Sequence, residues 1–373
     1  MQPLLYSPAS RDADEVAGAY AFSATLAIQD ITGDAHSGLT ASHMTKRLEG
    51  SAESDAMLFA LTNVRAPRPL GPRGYPEISV DDLADIEAWV FISLPLLEDT
   101  SVIEATVTLD AAIAPLPGEP VPREPWENAL SLIDALSHSF SRPTCHIWET
   151  HAPDADSPAA DFLASAGYAP AYREEQATFA VDAAASVASA VASGTDAGQN
   201  SVTAHLSVDS IDVVFNNDIS DTDLVLFRAL LTAASKGYPR GDLKLDTVEW
   251  TEDRLRDAQA RLLDRGGNQY TAIAYGTGPG GERAAVGLAE AVYYDADDDS
   301  LIELGLVYVL PAYRRAGVGT ALVESALAAA KSRWEGVETG YSSHPSISDA
   351  AQAMCTRNGA AAISATTAWQ RTS

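Results

Sequence analysis

Arg314-Arg315-Ala316-Gly317-Val318-Gly319-Thr320 carries the clearest chemistry in the 373-residue chain. Val307-Tyr308-Val309-Leu310 leads into it as a β-like run that breaks at Pro311, and Ala321-Leu322 continue from it as a helix. A helix start leaves backbone N–H groups unpaired and carries partial positive charge, so an anion is favoured there if the turn lets it approach. Gly317 and Gly319 allow that approach, because a residue without Cβ accepts positive φ and close contact between main chain and phosphate oxygens. Arg314 and Arg315 add cationic donors at the rim. The segment reads as a cradle for a pyrophosphate. It matches neither common nucleotide loop: no Lys-Ser/Thr pair follows the glycines, and the third glycine of the dinucleotide fingerprint is missing.

Other reactive residues form no such constellation. Cys145 and Cys355 lie far apart, which argues against a disulfide framework. His146 falls on an expected strand and His151 just beyond it, but alternation points Cys145 and Glu149 away from the face of His146, so no metal site is expected. No Gly-x-Ser-x-Gly or Ser/His/Asp arrangement supports a hydrolase. His344, before Pro345 in an expected loop near the cradle, reads as either a substrate contact or a surface histidine.

Composition narrows the partners. Formal charge is −28 and the sequence pI is near 4.4, a balance that repels phosphate backbones and disfavours nucleic acid. It suits a cationic or amine-bearing substrate, and it is also a common solubility device. The opening Met1 to Pro8 lacks a cationic segment followed by an apolar core, and no apolar run is long enough to cross a bilayer. A soluble, cytoplasmic protein without a membrane partner is expected.

The elements that must position the cradle fill the second half of the chain. At 373 residues and 46% hydrophobic content, two domains are the natural division. The Ala/Ser run that turns into Ser/Gly/Thr/Asp marks a linker over 182–203, leaving domains at 1–181 and 204–373. In the second, periodicity predicts a strand over 207–215, helices over 221–236 and 251–264, and a strand over 270–275. A hairpin turn at 276–281 then joins it to a strand over 283–294. After an acidic turn at 295–299, the strand 301–310 delivers the cradle. A helix over 320–334, a strand over 336–341, a helix over 348–358 and a strand over 362–370 follow.

Arg-x-x-Gly-x-Gly after a strand ending Val-x-Pro, followed by Ala-Leu-Val-Glu-Ser-Ala-Leu, resembles the acetyl-CoA motif of the GNAT N-acetyltransferase superfamily, and the resemblance covers roughly 205–373. The first half carries a fainter copy. Strands over 56–64, 88–94, 102–109 and 144–149, a helix over 126–140, and a helix with a Gly-Tyr turn over 159–168 leading to 173–181 repeat the order. Where its cradle should stand, 116–125 holds four prolines and two glutamates, which remove donors and oppose an anion. The implied fold is α/β: two GNAT-like domains, each a mixed, mostly antiparallel sheet flanked by helices, the N-terminal one degenerate. This layout resembles tandem two-domain actinobacterial acetyltransferases of mycothiol-synthase-like organisation.

The resemblance implies a reaction: direct attack of a primary amine on acetyl-CoA in one ternary complex, with acetyl-CoA as co-substrate and no metal. Val307 and Val309 would run along the pantetheine arm, and Arg314, Arg315, Ala316, Gly317, Val318, Gly319 and Thr320 would hold the pyrophosphate. Glu303, upstream on the same strand, is either the implied base or a solvent-facing or ion-paired strand residue, with Glu290 the reserve base. The family's acid is a tyrosine on the penultimate helix. Here Cys355 takes that position and Ala360 replaces the aromatic residue that follows. Cys355 is therefore either a proton donor or a small buried hydrophobe, with Tyr341 a second candidate acid. The acceptor would be an amine-bearing small molecule or peptide, and a homodimer is left open. The alternative reading is a catalytically weak acyl-CoA-binding or interaction protein that kept the cradle after losing the acid.

Overall fold

The computed structural model describes residues 1–34, 38–116, 119–182, 208–278, 281–294 and 300–372. The expected linker lies outside the described residues apart from Asp182, as do the turn 295–299 and Pro279-Gly280 of the expected hairpin. Contacts divide the chain into two compact units that do not follow its halves. The first comprises Met1–Glu174, Arg240–Asp246 and Ile363–Ser373, and the second Glu175–Pro239 and Thr247–Ala362. The boundaries expected at 181 and 204 thus differ from the packing: the last strand of the chain belongs to the first unit, and the segment after Glu174 to the second.

In the first unit the elements are β1 (Gln2–Leu5), α1 (Ala13–Thr32), α2 (Ala41–Leu48), β2 (Ser54–Thr62), β3 (Ile86–Pro95), β4 (Val102–Leu109), α3 (Arg123–Phe140), β5 (Thr144–His151), α4 (Ala160–Ser165), the first half of β6 (Ala169–Ala180) and nearly all of β12 (Ala361–Thr372). Strands run β1-β2-β3-β4-β5-β12, with β4 and β5 parallel. β12 pairs antiparallel with β5 from Ala365↔His151 to Thr372↔Thr144. Because helices cover both faces, β2 and β3 are apolar almost without alternation. Phe59, Val90, Ile103 and Ile147 pack with Trp126 and Ile133 of α3, while Leu58, Trp89 and Phe91 face Tyr20 and Met44 of α1 and α2.

The second unit contains β7 (Val208–Phe215), α5 (Asp221–Gly237), α6 (Glu252–Asp264), β8 (Gly267–Thr277), β9 (Arg283–Tyr294), β10 (Leu301–Val309), α7 (Val318–Arg333), β11 (Thr339–Pro345), α8 (Asp349–Arg357) and the second half of β6. Its strand order is β6-β11-β10-β9-β8-β7. Helices start where short polar side chains can accept a backbone N–H: the hydroxyls of Ser220, Thr251 and Ser348 accept from Asp223, Arg254 and Ala351 at 3.2 to 3.3 Å. α7 covers one face, with Leu322, Val323, Ala326 and Leu327 against Ala289, Ala291, Ile302 and Leu304. α5 and α6 cover the other, with Phe227, Leu230 and Leu255 against Ile273, Leu288 and Tyr308.

One expected element is corrected. The strand placed over 336–341 begins at Thr339 and runs to Pro345. Val337 donates to the carbonyl of Trp334 at 3.2 Å, so the start of the expected strand is a turn. His344, expected in a loop, therefore lies within a strand and is only 6% exposed.

Candidate acyl-CoA site

β10 is interrupted. Its antiparallel register with β9 runs Glu303↔Val292 and Leu304↔Ala291, then jumps to Val307↔Ala289. A bulge of this kind swaps the side-chain alternation, and here Ile302 and Leu304 share the α7 core while Leu306 and Tyr308 join the opposite one. Glu290 holds the bulge, accepting the N–H of Leu306 at 3.0 Å. Gly305 makes room for it, since a Cβ there would meet Glu290 Oε2 at 2.9 Å. With β11, β10 pairs in parallel only from Leu301↔Thr339 to Leu304↔Ser342, although β10 continues to Val309 and β11 to Pro345. Past Leu304 the two strands carry no shared register. The main chain of Gly305 to Val309 on that side is then available to an extended ligand, the need being to satisfy its N–H and C=O groups.

The end of β10 leads to the helix start. A single turn of 3-10 helix, Pro311–Tyr313, is fixed by buried Tyr313, whose hydroxyl donates to the carbonyl of Thr277. Arg315 and Gly317 both have positive φ, +66° and +77°. For arginine this left-handed conformation is unfavourable, a cost that backbone serving an anion often carries. Gly317 caps α7, and the first bond of the helix ladder is Ala321 N–H to Gly317 O at 3.0 Å. The N–H groups of Val318, Gly319 and Thr320 precede that ladder and point out of the helix start. A Cβ on Gly319 would meet only Val309 Cγ2, at an ordinary 3.6 Å. The protein's own packing does not demand glycine there, and a group lying over the turn would.

The cations are arranged differently from their sequence positions. Arg314 folds back, its Nε donating to the carbonyl of Val309 at 2.8 Å and its guanidinium 5.4 Å from the ring centre of Tyr308. Arg315 is exposed. A third cation, Arg357 at the end of α8, donates to the Thr320 hydroxyl at 2.7 Å. Nothing in the Arg-x-x-Gly-x-Gly spacing marks Arg357, because it arrives from an element 37 residues away.

A model of the acetyltransferase (GNAT) family matches residues 233–360, the stretch that holds β10, the cradle and α8. The chain carries a GNAT acetyltransferase domain. No curated protein matches the chain by sequence. Among solved structures, a tandem GNAT protein from the clavulanic acid biosynthesis pathway superposes with a TM-score of 0.62 at 16% identity, covering 100% of this chain and 98% of its own. A GCN5-related N-acetyltransferase from Sphaerobacter thermophilus gives 0.56 at 14% identity, covering 99% and 95%. A glucosamine N-acetyltransferase region of a fungal multidomain β-N-acetylglucosaminidase gives 0.53 at 12% identity, covering 99% of this chain and 38% of that one. The whole chain therefore has the fold of a tandem GNAT protein.

Within the GNAT domain, the carboxyl and thiol candidates reach the sheet from opposite faces. Glu303 and Tyr341 are register partners across β10 and β11, so they share the α5/α6 face. Burial pushes the Glu303 carboxyl up, opposed by the Arg265 guanidinium. Burial also raises the reserve candidate Glu290, whose carboxylate already serves the bulge. Cys355 comes from α8, whose neighbouring Met354 packs on the α7 core. Both cysteines are free thiols. Cys355 has a close partner that the linear reading kept separate, His344, with Sγ 3.6 Å from Nδ1. Among the described residues no cluster of three or more His, Cys, Asp or Glu could hold a metal, and no helix is long and apolar enough to cross a membrane.

Proposed function

We propose that the GNAT domain binds acetyl-CoA and transfers its acetyl group to a primary amine by direct attack in a ternary complex. The observation that carries this reading is the union of two features on one strand: β10 parts from β11 after Leu304, and its far end delivers the open helix start at Gly317 to Thr320. A pantetheine arm satisfies the parted strand, with Val307 and Val309 on the α7 side, and a pyrophosphate fits the cradle with Arg315, Ala316 and Val318 lining it. Arg314 contributes by bracing Val309.

The parting of the strands joins the two sheet faces. Glu303, its affinity for protons raised by burial, takes the proton shed by the attacking amine, directly or through water. A β10 main-chain N–H polarises the thioester carbonyl. Cys355 donates a proton to the departing sulfur, and Tyr341 is the alternative donor beside Glu303. The acidic surface favours a basic acceptor, a small molecule or peptide terminus. A domain that binds acyl-CoA without turning it over is the competing reading, and the same experiment separates them.

Titration calorimetry with acetyl-CoA should show binding, and free thiol should appear when acetyl-CoA meets an amine panel. Arg314→Glu with Gly317→Asp places negative charge at the cradle and should abolish binding. Undiminished affinity in that variant would overturn the assigned site, and binding without thiol release would select the competing reading.

A further inference from the structure

Cys355 does not stand alone. Its sulfur lies 3.6 Å from Nδ1 and 3.8 Å from Nε2 of His344, and Nε2 is 4.0 Å from Oε2 of Glu175. Three elements of the second unit, α8, β11 and β6, meet to make this row. The imidazole is sealed, with 7% of its side chain exposed, while Glu175 keeps 29%. The row thus runs from a thiol through a buried ring to a carboxylate in touch with solvent. Glu175 is the charged group facing both His344 and Cys355, and the Ser342 hydroxyl on β11 is the polar neighbour of the thiol.

Burial sets the resting protonation of the row. It lowers the proton affinity of His344, opposed by Glu175, and pushes the Cys355 thiol up, opposed by Ser342. At neutral pH both are uncharged. A thiol that keeps its proton is equipped to give it away, whereas a resting nucleophile needs the thiolate.

We propose that His344 and Glu175 are positioning residues forming a relay that reloads Cys355 with a proton after each transfer. The inference rests on the reading of Cys355 as donor to the departing coenzyme sulfur. In that step the amine nitrogen bonds to the thioester carbon, the carbon–sulfur bond breaks, and its electron pair stays on the coenzyme sulfur. That sulfur takes the proton of Cys355. His344 takes up a proton delivered from solvent by way of the Glu175 carboxylate, which is the exposed end of the row and stabilises the imidazolium. It then passes a ring proton to the thiolate and returns to neutral. The proton lost by the amine leaves through Glu303, so none is gained or lost overall.

Alkylation of Cys355 by iodoacetamide in the full chain, followed by peptide mass mapping from about pH 5 to about pH 9, tests the relay without any acceptor. Coupling to His344 gives the wild-type profile a second inflection, which His344→Gln removes and Glu175→Gln displaces. Identical profiles in wild type and His344→Gln, with folding checked by melting, overturn the relay. With hydroxylamine as a small neutral acceptor, Cys355→Ala should lower kcat about 100-fold and His344→Gln about 10-fold, with KM for acetyl-CoA unchanged. The double variant should be no worse than Cys355→Ala, and additive losses would also overturn it. An acetyl group retained on the Cys355 peptide after acetyl-CoA alone would make the thiol a nucleophile and sink the proposal. Wild-type calorimetry keeps the two levels apart, since absent acetyl-CoA binding refutes the proposed function whatever the alkylation profile shows.

Discussion

Glu303, the proposed base, shows how burial raises the proton affinity of an ordinary carboxylate. A base acts in its ionised form, so a raised pKa moves the acidic limb of the rate profile above the usual carboxylate range of about 4.3. Activity is then lost as pH falls through that raised value. Glu303→Gln is expected to lower kcat about 100-fold while leaving acetyl-CoA affinity unchanged, as read by thiol release and calorimetry. In the first unit Glu149 supplies a stability counterpart. It accepts the N–H of Ala159 at 2.8 Å and the Ser157 hydroxyl, and burial pushes it up to about 7. From about pH 4.3 to about pH 7 the folded chain holds a proton that the unfolded chain has released, so stability is full at the low end and falls as pH rises. The loss is on the order of 3 kcal/mol. Glu149→Gln keeps an acceptor for Ala159 and should flatten this slope; parallel melting curves for the two proteins would refute the assignment.

At the element scale, the start of α7 carries a glycine in its first turn at some expense to the helix, as the proposed pyrophosphate site requires. Gly319 occupies the first turn with open space above it and only Val309 Cγ2 at 3.6 Å. Gly319→Ala should stabilise the helix by up to about 1 kcal/mol, since glycine is a poor helix former. The same methyl enters the space over the turn and should weaken acetyl-CoA about 10-fold, or about 1.4 kcal/mol. Stability and affinity moving in opposite directions, in melting and calorimetry, is the expected signature. A variant that gains stability and binds as tightly would place the pyrophosphate elsewhere.

Across the whole molecule, strand exchange decides what can fold alone. β12 supplies β5 with a partner from Ala365 to Thr372, and Phe179 of β6 packs its ring on Gly340, where any Cβ would collide. A fragment of 204–373 therefore lacks Phe179 and Val181 from the core around α7 and leaves β12 without β5. Edges exposed in this way invite aggregation. The fragment should show poor amide dispersion and no cooperative melt, and a sharp transition comparable to that of the full chain would contradict this.

Legibility varied with the range of the interactions involved. Strands such as 283–294 and 102–109 were readable to the residue because each is a run rich in β-branched, aromatic and small residues bounded by polar turn residues. α1 was not, because its buried stripe of Val16, Ala17, Tyr20 and Ala21 is blurred by apolar residues on its open side, Phe22 being 61% exposed. The cradle is local, its anion chemistry following from glycines, arginines and a helix start within seven residues, so the sequence by itself determined the α/β class and the open helix start proposed to anchor the acyl donor. Whatever depends on side chains brought together from distant strands was decided only by tertiary structure. Arg357 on Thr320, Glu290 in the bulge, Glu303 beside Tyr341, and His344 between Cys355 and Glu175 are contacts between elements, and register, bulge and burial create them where periodicity within one element carries no trace.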